Sequence, residues 1–398
     1  MNWKISLVIS LGVAAQQPIG TGFSPERVAR LKAALKETVD KKEFAGIHVA
    51  VMKKGKLAIN ESFGYQDMEA GKPMRPDTIM RMASMTKPIA SAAVMILSEE
   101  GKFHLDDPIS KWIPGMEKVR VLESEDSDGT HTVPLKREIT VKHLLTHTSG
   151  LYNSKAYAKH GTFGRNLTLK EMAAKLPEVP LSHQPGEAWR YGMSIDVLGY
   201  LVEVWSGKTF DVFLQERIFT PLGMKDTGFH VAKEKLDRVS KVYTLGEGGV
   251  VRPAQQRGDP SVAPRFFSGG GGLYSTAPDY LRFCQLLING GVLDGKRVLA
   301  RTTVDYMFRN HVPVNMIVPE GPNGRTGHGF GFGGAVLVDP SAYQVLSVEG
   351  DYNWGGANGT YFWIDRKNEM AAVWMVQRPP FTAPPSKRFK ILVYQALE

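Results

Sequence analysis

The feature that most constrains this 398-residue chain is where its strand-like segments fall. Two lie near the start, residues 47–52 and 57–64, and the turn Lys53-Lys54-Gly55 between them makes them a hairpin. The others come late, at residues 329–339, 343–349, 360–365 and 370–377. Between the two groups, residues 167–224 read as mainly helical, broken at Pro185-Gly186. Strands at both ends of a chain share one sheet only if the last ones return to pair with the first. The pattern therefore predicts an α/β (α+β) domain whose sheet is completed by the C-terminus, with a helical insertion across the middle. Its parts are placed at residues 21–95 and 255–398, and the mainly helical domain at 96–254.

Local punctuation fills in the rest. Ser24-Pro25-Glu26 starts a helix whose apolar stripe is Val28, Leu31, Leu35 and Val39. Residues 279–287 and 387–397 read as helices, and residues 123–130 as a polar, flexible loop. Thr140 caps a short helix that Gly150 stops. His143 and His147 within it are four apart, a spacing that can bind a metal. No third ligand and no H-E-x-x-H glutamate accompanies them, so structural histidines are the better reading.

Composition excludes several function classes. The net charge of +9 is spread along the chain without a basic run, which argues against nucleic-acid binding. A lone Cys284 rules out an intrachain disulfide and makes a Cys/His zinc site implausible. Residues 1–20 have a short charged start, an apolar segment and small residues before Gln16-Gln17-Pro18, the shape of a secretory signal, so export to the periplasm or medium is expected. That apolar run is too short to span a bilayer, and no later stretch looks transmembrane.

The chemistry centres on Met82-Ala83-Ser84-Met85-Thr86-Lys87-Pro88, which opens an apolar helix running to about Glu100. Three residues apart on a first helical turn, Lys87 lies beside Ser84. A serine hydroxyl needs a neighbouring base or cation to react. Unpaired N–H groups at a helix start favour an oxyanion there. Pro88 cannot donate to the Ser84 carbonyl, so that turn is expected to be irregular. Rival motifs fail: no G-x-S-x-G occurs, and Ser206-Gly207-Lys208-Thr209 has Val202 where a P-loop needs glycine.

Six stretches taken in order carry a family resemblance: Ser84-Met85-Thr86-Lys87, Leu105-Asp106-Asp107-Pro108, residues 144–151 (LLTHTSGL), residues 185–191 (PGEAWRY), Pro221-Leu222-Gly223-Met224 and Gly270-Gly271-Gly272-Leu273. Together they resemble the serine β-lactamase-like hydrolases, and within them the family VIII carboxylesterases. The resemblance covers nearly all of the chain from Phe23 onward. It implies an antiparallel sheet flanked by helices plus a mainly helical domain. It also implies Ser84 as the acylated nucleophile, Lys87 as its partner and Tyr191 as a base, a role that a nearby cation favours by stabilising phenolate. Trp354-Gly355-Gly356 matches the family's third motif, on an edge strand. By position, the N–H of Ala357 then joins that of Ser84 as the oxyanion hole.

Two departures from the β-lactamase pattern matter. Trp354 stands where those enzymes carry a lysine, and Met193 where they carry an asparagine, so both positions turn apolar. With Gly355 and Gly356 they are read as substrate-binding, for an uncharged small-molecule ester, with no cofactor or metal. A β-lactamase or D-amino-acid peptidase, an acyltransferase, and a penicillin-binding-like sensor that acylates once and stops remain as alternatives.

Overall fold

The computed structural model describes residues 22–126, 129–152, 166–256, 258–313, 316, 326–380 and 383–398. The signal-like residues 1–20 lie outside them. Helix α1 (Pro25–Asp40) starts where expected: Ser24 accepts a hydrogen bond from the Arg27 N–H, and Pro25 occupies a first-turn position whose N–H has no helical partner anyway. Val28, Leu31 and Leu35 are buried, as the stripe requires.

The main sheet has eight strands. In chain order they are β1 (Gly46–Lys53), β2 (Lys56–Asp67), β3 (Lys72–Pro73), β4 (His328–Phe330), β5 (Ala335–Leu337), β6 (Tyr352–Gly355), β7 (Tyr361–Asp365) and β8 (Met370–Met375). Their spatial order is β4-β5-β6-β7-β8-β1-β2-β3, every neighbour antiparallel. Thus β8 pairs with β1, in register His48 to Met375, and the C-terminus completes the sheet begun by the hairpin.

Both faces of the central strands are covered, which is why β8 reads as an unbroken apolar run and β1 as a nearly continuous one interrupted by His48 rather than an alternating one. On one face Ile47, Val49, Val51, Ala372 and Trp374 pack with Leu31 and Leu35 of α1 and with Phe389 and Val393 of the closing helix, Ala383–Tyr394. On the other, Ala50, Ala371, Val373 and Met375 share a core with α2 (Thr86–Glu99), with α4 (Ser194–Ser206) and with α5 (Ala277–Ile288); α3, Val141–Leu145, joins the same core. Every residue of α2 from Thr86 to Leu97 is buried, so this helix is central rather than amphipathic.

Four local expectations need correction. Residues 123–126 and 129–130 are not a loop: Val121–Asp126 and Gly129–Val133 pair as an antiparallel hairpin. Residues 343–349 are not a strand, because Asp339 caps a one-turn helix, Pro340–Tyr343, and Gln344 takes a left-handed φ of 57° that an extended run cannot accommodate. The third-motif strand is interior, since β6 pairs with both β5 and β7, with Tyr352 and Asn353 in register with β5. The Thr140-capped helix stops at Leu145 rather than near Gly150, with His147 at a left-handed φ of 56°. Among the described residues no helix is long and apolar enough to cross a membrane.

Candidate active site

The segment before α2 delivers Ser84. Residues Ala83–Met85 form a single 3-10 turn, and Ala83 has a φ of +45°, a conformation that costs an alanine about 1–2 kcal/mol. Backbone strain of this kind collects where a side chain has to be aimed. The first hydrogen bond of the turn is Met85 N–H to Met82 O, so the Ser84 N–H precedes it. Lys87 is 4% exposed. Its Nζ lies 3.1 Å from Ser84 Oγ and donates to the Gly270 carbonyl at 2.5 Å. The same ammonium sits 4.5 Å from the centre of the Tyr191 ring. The three residues picked from the sequence are therefore gathered around one cation.

Tyr191 is held from several sides. The Trp354 indole N–H donates to its hydroxyl at 3.2 Å, with the two rings 5.3 Å apart. His147 spans it: its carbonyl accepts from Arg190 N–H at 2.9 Å, its Nδ1 accepts from Gly192 N–H at 3.4 Å, and its ring lies 4.7 Å from that of Tyr191. Trp189 and Phe330 complete the aromatic wall. With His147 off the helix, the four-residue spacing to His143 loses its meaning. His143 Nδ1 accepts from Thr140 N–H as half of a capping box, and burial with nearby Arg137, Lys142 and His183 lowers its pKa to about 4. Among the described residues no group of three His, Cys, Asp or Glu side chains could hold a metal ion.

The third motif meets the Ser84 segment directly. Gly356 N–H donates to Thr360 O at 2.7 Å, and Gly359 N–H closes a turn on Gly356 O at 2.8 Å. Ala357 is the exposed second residue of that turn, whose N–H the turn hydrogen bond does not use. A Cβ on Gly356 would stand 2.4 Å from the carbonyl oxygen of Met82, two residues before Ser84. This glycine is needed for contact between two protein segments; approach of a substrate does not have to be invoked. Trp354 and Met193 are 2% and 3% exposed. Met193 ends the segment from Tyr191 by accepting from the Asp196 and Val197 N–H groups at the start of α4, and its side chain belongs to the core.

One participant had no signal in the sequence reading. Asp196, in the first turn of α4, is buried, and its Oδ1 accepts from both Ser268 Oγ at 2.5 Å and Gly270 N–H at 3.0 Å. Burial pushes its carboxyl up, while the Ser268 hydroxyl and the Lys87 charge oppose that. The Gly-rich stretch was quoted as a motif without a role; its Gly270 links Asp196 to Lys87, and a Cβ there would lie 2.5 Å from Asp196 Oδ2.

Comparisons with known proteins identify the family. The β-lactamase family model matches residues 31–395. The chain is 36% identical to the Mycobacterium tuberculosis protein Rv1367c, over 88% of this chain and 90% of that protein. It is 32% identical to esterase EstB of Burkholderia gladioli, over 85% of this chain and 87% of EstB. The solved structure of EstCE1, a hydrolase with promiscuous acyltransferase activity, superposes with a TM-score of 0.80 at 26% identity, covering 93% of this chain and 99% of EstCE1. The chain thus belongs to the β-lactamase family and, among its serine hydrolases, to the family VIII carboxylesterases.

Proposed function

We propose that this enzyme hydrolyses short-chain, uncharged carboxylic esters through an acyl-enzyme on Ser84. The observation that carries the reading is the Lys87 ammonium, 3.1 Å from Ser84 Oγ and 4.5 Å from the Tyr191 ring, facing an aromatic wall where β-lactamases present a cation. In the first half-reaction Tyr191, working with Lys87, takes the Ser84 proton as Oγ attacks the ester carbonyl. The N–H groups of Ser84 and Ala357 hold the oxyanion, each worth about 3 kcal/mol in the transition state. The C–O bond to the alcohol breaks and the alcohol leaves with the proton. Water then attacks the acyl-enzyme by the same route and releases the acid.

Trp354 and Met193 support the preference for uncharged esters, since neither supplies a charge or an amide to a substrate carboxylate. A second reading is acyl transfer to an alcohol in place of water, and the hydrolase EstCE1, with its promiscuous acyltransferase activity, favours keeping it. The test is steady-state hydrolysis of a short-chain p-nitrophenyl ester and of a chromogenic cephalosporin, by wild type and by Ser84→Ala. Ester turnover that vanishes in Ser84→Ala, with little cephalosporin cleavage, is expected. Fast cephalosporin cleavage with poor ester turnover would overturn the substrate assignment, and a single burst without turnover would indicate a sensor.

A further inference from the structure

We infer that Asp196 is a positioning residue for Lys87: an ionised, buried counter-charge that fixes the Gly270 carbonyl against the Lys87 ammonium. The inference rests on Lys87 working beside Ser84. The hydrogen bonds form one chain. Ser268 Oγ and Gly270 N–H both donate to Asp196 Oδ1, at 2.5 and 3.0 Å, and the other end of the Gly270 residue, its carbonyl, accepts from Lys87 Nζ at 2.5 Å. With Asp196 ionised both donors make charge-assisted bonds, which are the strong ones.

Asp196 is 4% exposed, and the Lys87 charge of α2 bears on it together with the Ser268 hydroxyl and backbone N–H groups. A buried carboxylate without a cation is costly, and so is a buried ammonium; Lys87 and Asp196 relieve each other across one intervening residue, Gly270. The loop itself is built to permit this. Gly270 lies so close to Asp196 that a Cβ would meet Oδ2 at 2.5 Å, and a Cβ on Gly269 would meet the Ile195 carbonyl at the same 2.5 Å. The two glycines let the loop backbone lie directly on the start of α4, which brings the Gly270 carbonyl to Lys87. Because α4 also begins right after Tyr191 and Met193, a single helix N-terminus sets both the tyrosine and the lysine.

The test is Asp196→Asn, which keeps the shape and an acceptor for both donors but removes the charge. Two readouts are compared with wild type: the pH dependence of kcat for p-nitrophenyl acetate, normalised to titrated active sites, and the titration of 13Cε-labelled Lys87, assigned by its loss in Lys87→Arg. Loss of the anion makes the ammonium easier to deprotonate. The acid limb of kcat and the Lys87 midpoint are both expected to move to lower pH by about half a unit or more, with plateau kcat down at least about tenfold and KM little changed. A merely structural role lowers thermal stability and leaves both midpoints in place, and that result overturns the inference. If Asp196→Asn does not fold, Ser268→Ala decides: without the hydroxyl that opposes the effect of burial, Asp196 is more readily neutral, so the same midpoints should move to lower pH, and unchanged midpoints refute the counter-charge. A wild type without Ser84-dependent turnover refutes the proposed function instead, and the Lys87 titration still decides the role of Asp196.

Discussion

Replacing Gly356 with alanine tests how the two halves of the proposed oxyanion hole are held together. The added methyl would stand 2.3 Å from Thr360 Oγ1 and 2.4 Å from the Met82 carbonyl oxygen. Neither neighbour is the free end of a flexible chain. Thr360 Oγ1 donates to that same Met82 oxygen at 3.3 Å, and Thr360 O accepts the Gly356 N–H at 2.7 Å, so the crowded atoms form one hydrogen-bonded unit. Restoring a contact of even 3.0 Å requires the Met82 carbonyl to retreat by about 0.6 Å. Met82 precedes Ser84 by two residues and Ala357 follows Gly356, so that retreat separates the two N–H donors directly. One oxyanion donor is worth about 3 kcal/mol, and a 1 Å misplacement costs on the order of a hundredfold. Gly356→Ala is therefore expected to lower kcat on p-nitrophenyl butyrate about a hundredfold, with KM within about threefold and an unchanged circular-dichroism spectrum. A folded variant with kcat within about twofold of wild type would refute the shared-donor geometry.

Other consequences are equally measurable. Trp354→Phe keeps the ring and removes the indole N–H that reaches the Tyr191 hydroxyl at 3.2 Å; losing about 1 kcal/mol of hydrogen bonding predicts kcat down about fivefold, and wild-type kcat would contradict it. Lys390 and Asp351 form an ion pair in which both side chains are 0% exposed, so Lys390→Met strands a buried carboxylate and is expected to cost about 3–5 kcal/mol in denaturant unfolding; a loss below about 1 kcal/mol would contradict it. Burial lowers the pKa of His48 from 6.5 to about 4. The unfolded chain then takes up that proton first as pH falls, so His48 contributes fully to stability above pH 6.5 and its contribution, about 3 kcal/mol, is lost between pH 6.5 and about 4. His48→Asn should make the unfolding free energy less steep over that window, leaving the slope of the same sign that His143 supplies, and an unchanged slope would exclude His48 as a cause. Burial also pushes the Cys284 thiol up, so native protein should resist thiol reagents and unfolded protein should react once; rapid labelling of the native state would refute its burial.

Much of the fold was legible because local signals and tertiary demands agree. Ser24-Pro25 starts α1, the hairpin turn sets β1 against β2, and the apolar run after Thr86 is a helix with no exposed face until its last turn. The misreadings come from residues whose local preference loses to geometry. Val345 and Val348 favour a strand, yet the Asp339 cap and the left-handed Gln344 turn the chain away from the sheet. The acidic segment ending at Asp126 looks like a loop because the apolar pair Val121 and Val133 stands only at the base of its hairpin, a pattern that periodicity does not register. In the site, the spacing of Ser84 and Lys87 predicts a contact that the backbone delivers. The approach of Tyr191 and Trp354, separated by 163 positions, followed only from a family resemblance. Asp196 was illegible: an acidic residue in the first turn of a helix reads as a cap, and only the position of Gly270 across 74 residues gives it another meaning.

The most direct measurement is intact-mass and peptide-mass analysis of enzyme quenched during turnover of a slow p-nitrophenyl ester. The account predicts one acyl adduct per chain, on the peptide containing Ser84, and none in Ser84→Ala. An adduct on another residue, or turnover that persists in Ser84→Ala, would contradict it.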